Sequence, residues 1–176
     1  MKKYYMKAFW FNNLKEEYRA SIICKNLGML VEIKGDSLYI WSEYDIKIEN
    51  TFNCKNFLSS EYFLQKIDRE SIDIFIGRAI MFFDVSPITL NNEYYIYSKT
   101  YNVLDAITTA CEEKSDSYFR YTLDSIPNNE SLIEFYINFG FEVEDKDSLI
   151  TISGPSNREK IFKLLCKSDK EGWINL

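Results

Sequence analysis

The 176-residue chain contains no histidine. That absence removes Ser-His-Asp and Cys-His nucleophile pairs, histidine general acid–base catalysis and His-ligated zinc together. Catalysis by Glu, Asp, Lys, Tyr or Cys alone stays chemically open, but activity is not the expectation. No run of about 18 apolar residues occurs, so no membrane-spanning helix is expected. Lys7 interrupts the basic N-terminal stretch before a signal-peptide core can form, which points to a cytoplasmic location. Proline and glycine are scarce, at three and six residues, and no low-complexity linker divides the chain. The four cysteines, Cys24, Cys54, Cys111 and Cys166, are far apart and form no CxxC pair, so free thiols are expected. Phosphate-binding loops, dinucleotide fingerprints and nucleophile elbows are missing from the sequence, and no cofactor is expected.

What the chain has instead is rings, with 13 Tyr, 13 Phe and three Trp. Aromatic side chains supply much of the area a core buries, and they also anchor binding surfaces. The clearest segment is 129–153. Asn129 is placed to cap a helix, with Glu130 beside the positive end of its dipole. Leu132, Ile133, Phe135, Tyr136 and Phe139 then recur at helical spacing, and Gly140 supplies the stop. Phe141, Val143 and Asp145 alternate with Glu142, Glu144 and Lys146, as in a half-exposed strand, and Leu149, Ile150 and Ile152 begin its return. Ser156 and Glu159 form a capping box for a last helix carrying Ile161, Phe162, Leu164 and Leu165.

Near the start the same grammar recurs. Residues 2–11 alternate as a strand, with Tyr4, Met6, Ala8 and Trp10 on one face and Lys3, Tyr5, Lys7 and Phe9 on the other. Leu14, Tyr18, Ile22, Ile23 and Leu27 mark a helix stopped at Gly28, and a hairpin follows around Gly35-Asp36. KNLGMLVEIKGDSLYIWS matches INFGFEVEDKDSLITIS once one residue is dropped at the turn. Duplication and shared helix-stop chemistry both explain the match.

Between these stretches, 56–67 is expected to be helical and 72–85, a nearly continuous apolar run, to be a buried strand. A strand at 94–97, a helix capped by Asn102 and Asp105, and a strand at 117–124 follow. The expected class is α+β with largely antiparallel sheet and packed helices, and two β-α-β-β, ferredoxin-like halves are one arrangement of these elements. Residues 1–85 would form a β-α-β-β-α-β half and 86–176 a β-α-β-α-β-β-α half, as separate units or as one continuous domain.

The net charge of −6 hides a polarised chain. Residues 105–149 hold eleven acidic and three basic residues, a local −8, whereas 1–34 hold seven basic and three acidic, a local +4. Such a field steers a basic partner. The residues expected to meet it are Glu142, Glu144, Asp145, Asp147, Glu112, Glu113 and Asp116. The same carboxylates lack the spacing of a calcium loop, and no metal is expected. A second arrangement would bind single-stranded nucleic acid through Lys3, Tyr5, Lys7, Phe9, Tyr39 and Trp41, rings and lysines on neighbouring strands, although no RNP1-type sequence is present.

SYFRYTLDSIPNNESLIEFYINFGFEVE resembles the end of GNAT-family acetyltransferases, in a strand leading to Asn, a helix ending in an aromatic residue, and Gly-Phe. Asn128 or Asn129, Tyr136, Gly140 and Phe141 are the similar positions. The family's pyrophosphate loop would open the preceding helix, where Thr100-Tyr101-Asn102-Val103 holds no glycine. The resemblance therefore implies at most a degenerate acetyltransferase-like fold. The leading expectation is a small bacterial or phage-type protein that binds another protein, an inhibitor of immunity or antitoxin type that occludes a toxin nuclease or other basic partner without any membrane association.

Overall fold

The computed structural model describes residues 1–112, 115–124 and 130–168. It is a mixed α+β structure whose sheets are antiparallel. The chain divides into two units, residues 1–67 with 85–104, and residues 68–84 with 105–176.

In the first unit, β1 (Lys2–Phe11) runs between β3 (Ser37–Ser42) and β4 (Cys54–Lys66), so Met6, Lys7, Ala8 and Phe9 are buried on both faces. With β2 (Leu30–Lys34), β5 (Ser86–Leu90) and β6 (Glu93–Ser98) the six-stranded order is β2-β3-β1-β4-β6-β5. The two edges come together at the β5–β6 turn. Asn91 Oδ1 accepts from the Val31 amide at 3.2 Å, and its Nδ2 donates to the Met29 carbonyl at 3.3 Å. The sheet is thereby curled around an inner face to which all six strands contribute, with Met6, Trp41, Leu64, Leu90 and Tyr95 at its centre and Leu30 beside them. On the outer face Phe9, Phe11, Val31, Leu38 and Ile40 pack under α1 (Leu14–Asn26) through Ala20 and Cys24. Asn13 caps α1, its Oδ1 accepting from the Lys15 amide at 2.8 Å.

The second unit holds α2 (Ile74–Phe82), most of α3 (Tyr101–Glu112), and a three-stranded sheet ordered β7-β9-β8 from β7 (Tyr118–Asp124), β8 (Glu142–Lys146) and β9 (Leu149–Pro155). Its remaining helices are α4 (Glu130–Asn138) and α5 (Glu159–Ser168). Rings fill the core: Phe119 lies 5.1 Å from Phe162, Phe75 lies 5.3 Å from Phe141, and Tyr136 lies 5.6 Å from Phe162. These edge and offset contacts are the arrangements aromatic pairs prefer.

The β-α-β-β pattern occurs in both units with the same topology. The first strand pairs antiparallel with the third, which pairs with the second. Both helices end with the same hydrogen bonds. Gly28 N donates to Lys25 O and Met29 N to Cys24 O, both at 3.0 Å; Gly140 N donates to Ile137 O at 2.9 Å and Phe141 N to Tyr136 O at 3.0 Å. Gly28 and Gly140 have φ of +85° and +100°, which an L-residue resists. No residue needs to be dropped to align the hairpins. Lys34 pairs with Ser37 and Lys146 with Leu149, so each turn has two residues, and the buried pairs Leu38/Ile150 and Ile40/Ile152 coincide.

Two elements differ from expectation. Residues 56–66 of the expected helix lie in the strand β4, because β1 is central and needs a partner on that side. The apolar run within 72–85 is the helix α2 rather than a strand, capped by Asp73, whose Oδ1 accepts from the Ile76 amide at 2.9 Å. The order over residues 1–85 is accordingly β-α-β-β-β-α, which is not the ferredoxin-like order, and 68–84 belongs with the second unit. Helix α1 forms as its spacing predicts but turns its apolar stripe outward: Leu14 is 66 % and Tyr18 62 % exposed, while Glu17, Ala20, Ser21 and Cys24 are buried. The caps expected at Asn128 and Asn129 lie outside the described residues.

Candidate functional site

Three of the seven expected acidic residues, Glu142, Glu144 and Asp145, lie on one strand. Strand β8 is an edge of its sheet, bonded only to β9 among the described strands, and Glu142, Glu144 and Asp145 on it are exposed. Glu142 pairs with Ser153 and Glu144 with Thr151, so the two carboxylates share a face. Alternate residues of a strand are about 7 Å apart, which is the spacing of alternate side chains on any extended segment laid beside it. Asp145 pairs with Ile150 on the opposite face, and Asp147 stands at the turn with φ of +53°. Glu112 ends α3 and is exposed, as is Asp116; Glu113 lies outside the described residues. Asp73, near the start of α2, is drawn into an ion pair with Arg158, whose guanidinium lies 4.1 Å from the centre of the Phe75 ring.

Sequence reasoning missed the apolar surface in the same unit. Helix α2 exposes Ile74, Arg78 and Met81, one helical face, and Met81 is 84 % exposed. A groove of about 450 Å³ runs between α2 and α4, lined by Met81, Phe82, Phe135 and Phe139 with Arg78 and Asn138. Phe82 is 46 % exposed in its wall. Helix α4 also packs against β8, so one helix carries both a groove wall and the support of the acidic edge. The available signal was Asp73 standing as a cap directly before IFIGRAIMF.

The residues expected to contact nucleic acid do not form one surface. Phe9 pairs with Leu38 and Lys7 with Ile40, on the outer face; Tyr39 pairs with Ala8 and Trp41 with Met6, on the inner face. Phe9 and Trp41 are 0 % and 1 % exposed, and a stacking platform needs open rings. Lys7 is buried and donates to the Ile46 carbonyl at 2.8 Å beside an ion pair with Asp45; Lys3 pairs with Glu61 at 2.5 Å, and Tyr5 is half-buried.

Of the positions resembling an acetyltransferase end, Gly140 and Phe141 form the helix stop, and Phe141 is buried. Tyr136 is fully buried, with its hydroxyl 3.5 Å from Cys166 Sγ. Among the described residues no group of three or more His, Cys, Asp or Glu side chains is arranged to hold a metal ion, and no helix is long and apolar enough to cross a membrane. Comparison with protein-family models, curated protein sequences and solved structures finds no match to this chain.

Proposed function

We infer that the protein works by binding another protein through its second unit, with the groove between α2 and α4 taking apolar anchors and the acidic edge of β8 taking Lys or Arg. The carrying observation is the shallow apolar groove beside Ile74 and Met81, which stand 78 % and 84 % exposed, because apolar side chains gathered in the open anchor interfaces. The charge pattern supplies the partner's chemistry: the local −8 over residues 105–149 favours a basic surface and accelerates encounter with it. An apolar centre flanked by charge is the anatomy of a specific interface. Occlusion of a basic partner makes the protein an inhibitor of immunity or antitoxin type, and a toxin nuclease is the partner class that such a surface complements. The four cysteines are unpaired, which supports action in a reducing, cytoplasmic setting.

Quantitative capture from the source organism tests this with variants. Wild type and Glu16→Lys should retain a basic protein that Glu142→Lys and Met81→Asp both lose. Retention of an acidic protein, or retention indifferent to Glu142 and Met81, would overturn the inference.

A further inference from the structure

The first unit carries a surface opposite in charge to the acidic edge. Helix α1 lays Leu14, Tyr18 and Ile22 open to water at intervals of four residues, a ridge along one side. Lys15 and Arg19 run beside this ridge and Lys25 continues it, all three exposed. The acidic residues of the helix lie off this face, since Glu17 is buried and Glu16 stands beyond Arg19 around the helix. The helix meets its own sheet through Ala20 and Cys24 on the other side, which leaves the ridge uncovered within the first unit.

The ridge matches the groove between α2 and α4 in length. From Leu14 to Ile22 it spans about 12 Å, and the groove walls, helices of nine residues each, run about 13 Å. A row of residues four apart is the ridge that seats between the rows of a neighbouring helix. The two surfaces also match in charge. Asp84 directly follows the cap of α2, Glu134 stands one turn before the lining residue Asn138 on α4, and both are exposed. Arg78 is the one basic residue in the lining.

We propose that a second copy of the chain seats its α1 ridge in the α2–α4 groove, so that the protein associates with itself. This rests on reading the groove as a docking surface and adds its regulation, because a second copy and an outside partner compete for it. Amphipathic helices laid in apolar grooves are a recurrent mode of recognition. Ridge against ridge is disfavoured, since Lys15, Arg19 and Lys25 would meet themselves. Anionic lipid also attracts such a face, but its three apolar side chains open less hydrocarbon to water than one myristoyl chain, which alone binds membranes only marginally. Two reciprocal contacts close a two-fold dimer, and single contacts leave an open chain.

Sedimentation velocity of the full chain tests this at about 0.15 M salt, where the shared negative charge of two copies is screened beyond about 8 Å. The average mass should rise with concentration to at least twice that of one chain. Tyr18→Asp breaks the ridge and Met81→Asp the groove, both at strongly exposed positions, and each variant alone should stay monomeric. An equimolar mixture of the two should recover a dimer and nothing larger, because one intact ridge meets one intact groove. That recovery also shows that both variants are folded. A wild-type chain still monomeric at millimolar concentration would overturn the proposal while leaving capture of a basic partner as a separate test of the groove. Association that survives Met81→Asp but not Tyr18→Asp would set ridge against ridge, and a mixture that stays monomeric would break the pairing; either result overturns it. So would flotation of wild type, but not of Tyr18→Asp, with phosphatidylserine vesicles, which would assign the ridge to lipid.

Discussion

The matched helix stops at Gly28 and Gly140 offer a controlled comparison. Alanine at either position must adopt a positive φ, at a cost of about 1–2 kcal/mol. The loss of glycine's freedom in the unfolded chain offsets about 0.4–1 kcal/mol of this at both sites and cancels in the difference. Space separates the two. A Cβ at Gly28 would meet nothing within 4 Å, whereas at Gly140 it would lie 2.9 Å from Phe75 Cδ2. Phe75 has little freedom to yield: it is buried, with Phe139 5.5 Å and Phe141 5.3 Å from its centroid, and the Arg158 guanidinium covers it at 4.1 Å. Overpacking of this kind adds about 1–3 kcal/mol. Gly28→Ala should therefore cost about 1 kcal/mol and Gly140→Ala about 2–4 kcal/mol. Urea unfolding followed by circular dichroism, with hydrogen exchange assigning the loss to each unit, measures both. Equal losses would refute the packing difference. A stabilised Gly140→Ala would refute the helix stop itself.

Acid stability should depend on two ion pairs in the first unit. A hydrogen bond from Lys7, with its charge, holds the Asp45 carboxyl below its ordinary range, and a hydrogen bond from Lys66 does the same for Glu93. The unfolded chain therefore binds more protons than the folded one in this window. The stabilisation is complete above the unfolded carboxylate value of about 4 and is lost as the pH falls through the lower folded values. Asp45→Asn should flatten the acid limb of the urea midpoint plotted against pH, and an unchanged slope would contradict the pairing with Lys7. Burial pushes the Cys24 and Cys111 thiols up to about 11. At pH 8 about a thousandth of each is then thiolate, so a thiol reagent should modify both at least about 100-fold more slowly in the native chain than in urea. Rapid native modification of all four cysteines would exclude these environments.

The second β-α-β-β unit was legible because each of its signals agrees with the others. The stripe from Leu132 to Phe139, the Gly140 stop and the alternation from Phe141 onward mark α4, β8 and β9 within a residue or two of their observed bounds. Strand β4 was not legible because β1 and β4 change register between Ala8 and Phe9, where Ala8 faces Leu58 but Phe9 faces Asn56. That bulge resets the alternation around Phe57, so no single period runs through the strand. Helix α2 was misread for another reason: in a run as apolar as IFIGRAIMF, periodicity does not separate a buried strand from a helix. The groove built on α2 was hidden with it. The acidic edge was visible because exposed carboxylates announce themselves by charge alone. That the buried Trp41 Nε1–H has no acceptor among the described residues was not visible, since whether an indole finds one depends on strands far apart in sequence.

The central claim, a protein-binding surface made of the β8 edge and the α2–α4 groove, is tested most directly by an NMR footprint. The nitrogen-15-labelled protein is titrated with a synthetic lysine-rich peptide carrying two leucines, at low salt and again near 1 M, where charge is screened beyond about 3 Å. Shift changes should concentrate at residues 78–82, 135–139 and 142–147, with affinity falling steeply as salt rises. Shift changes spread over the acidic residues of both units, or sparing the α2–α4 groove, would contradict it.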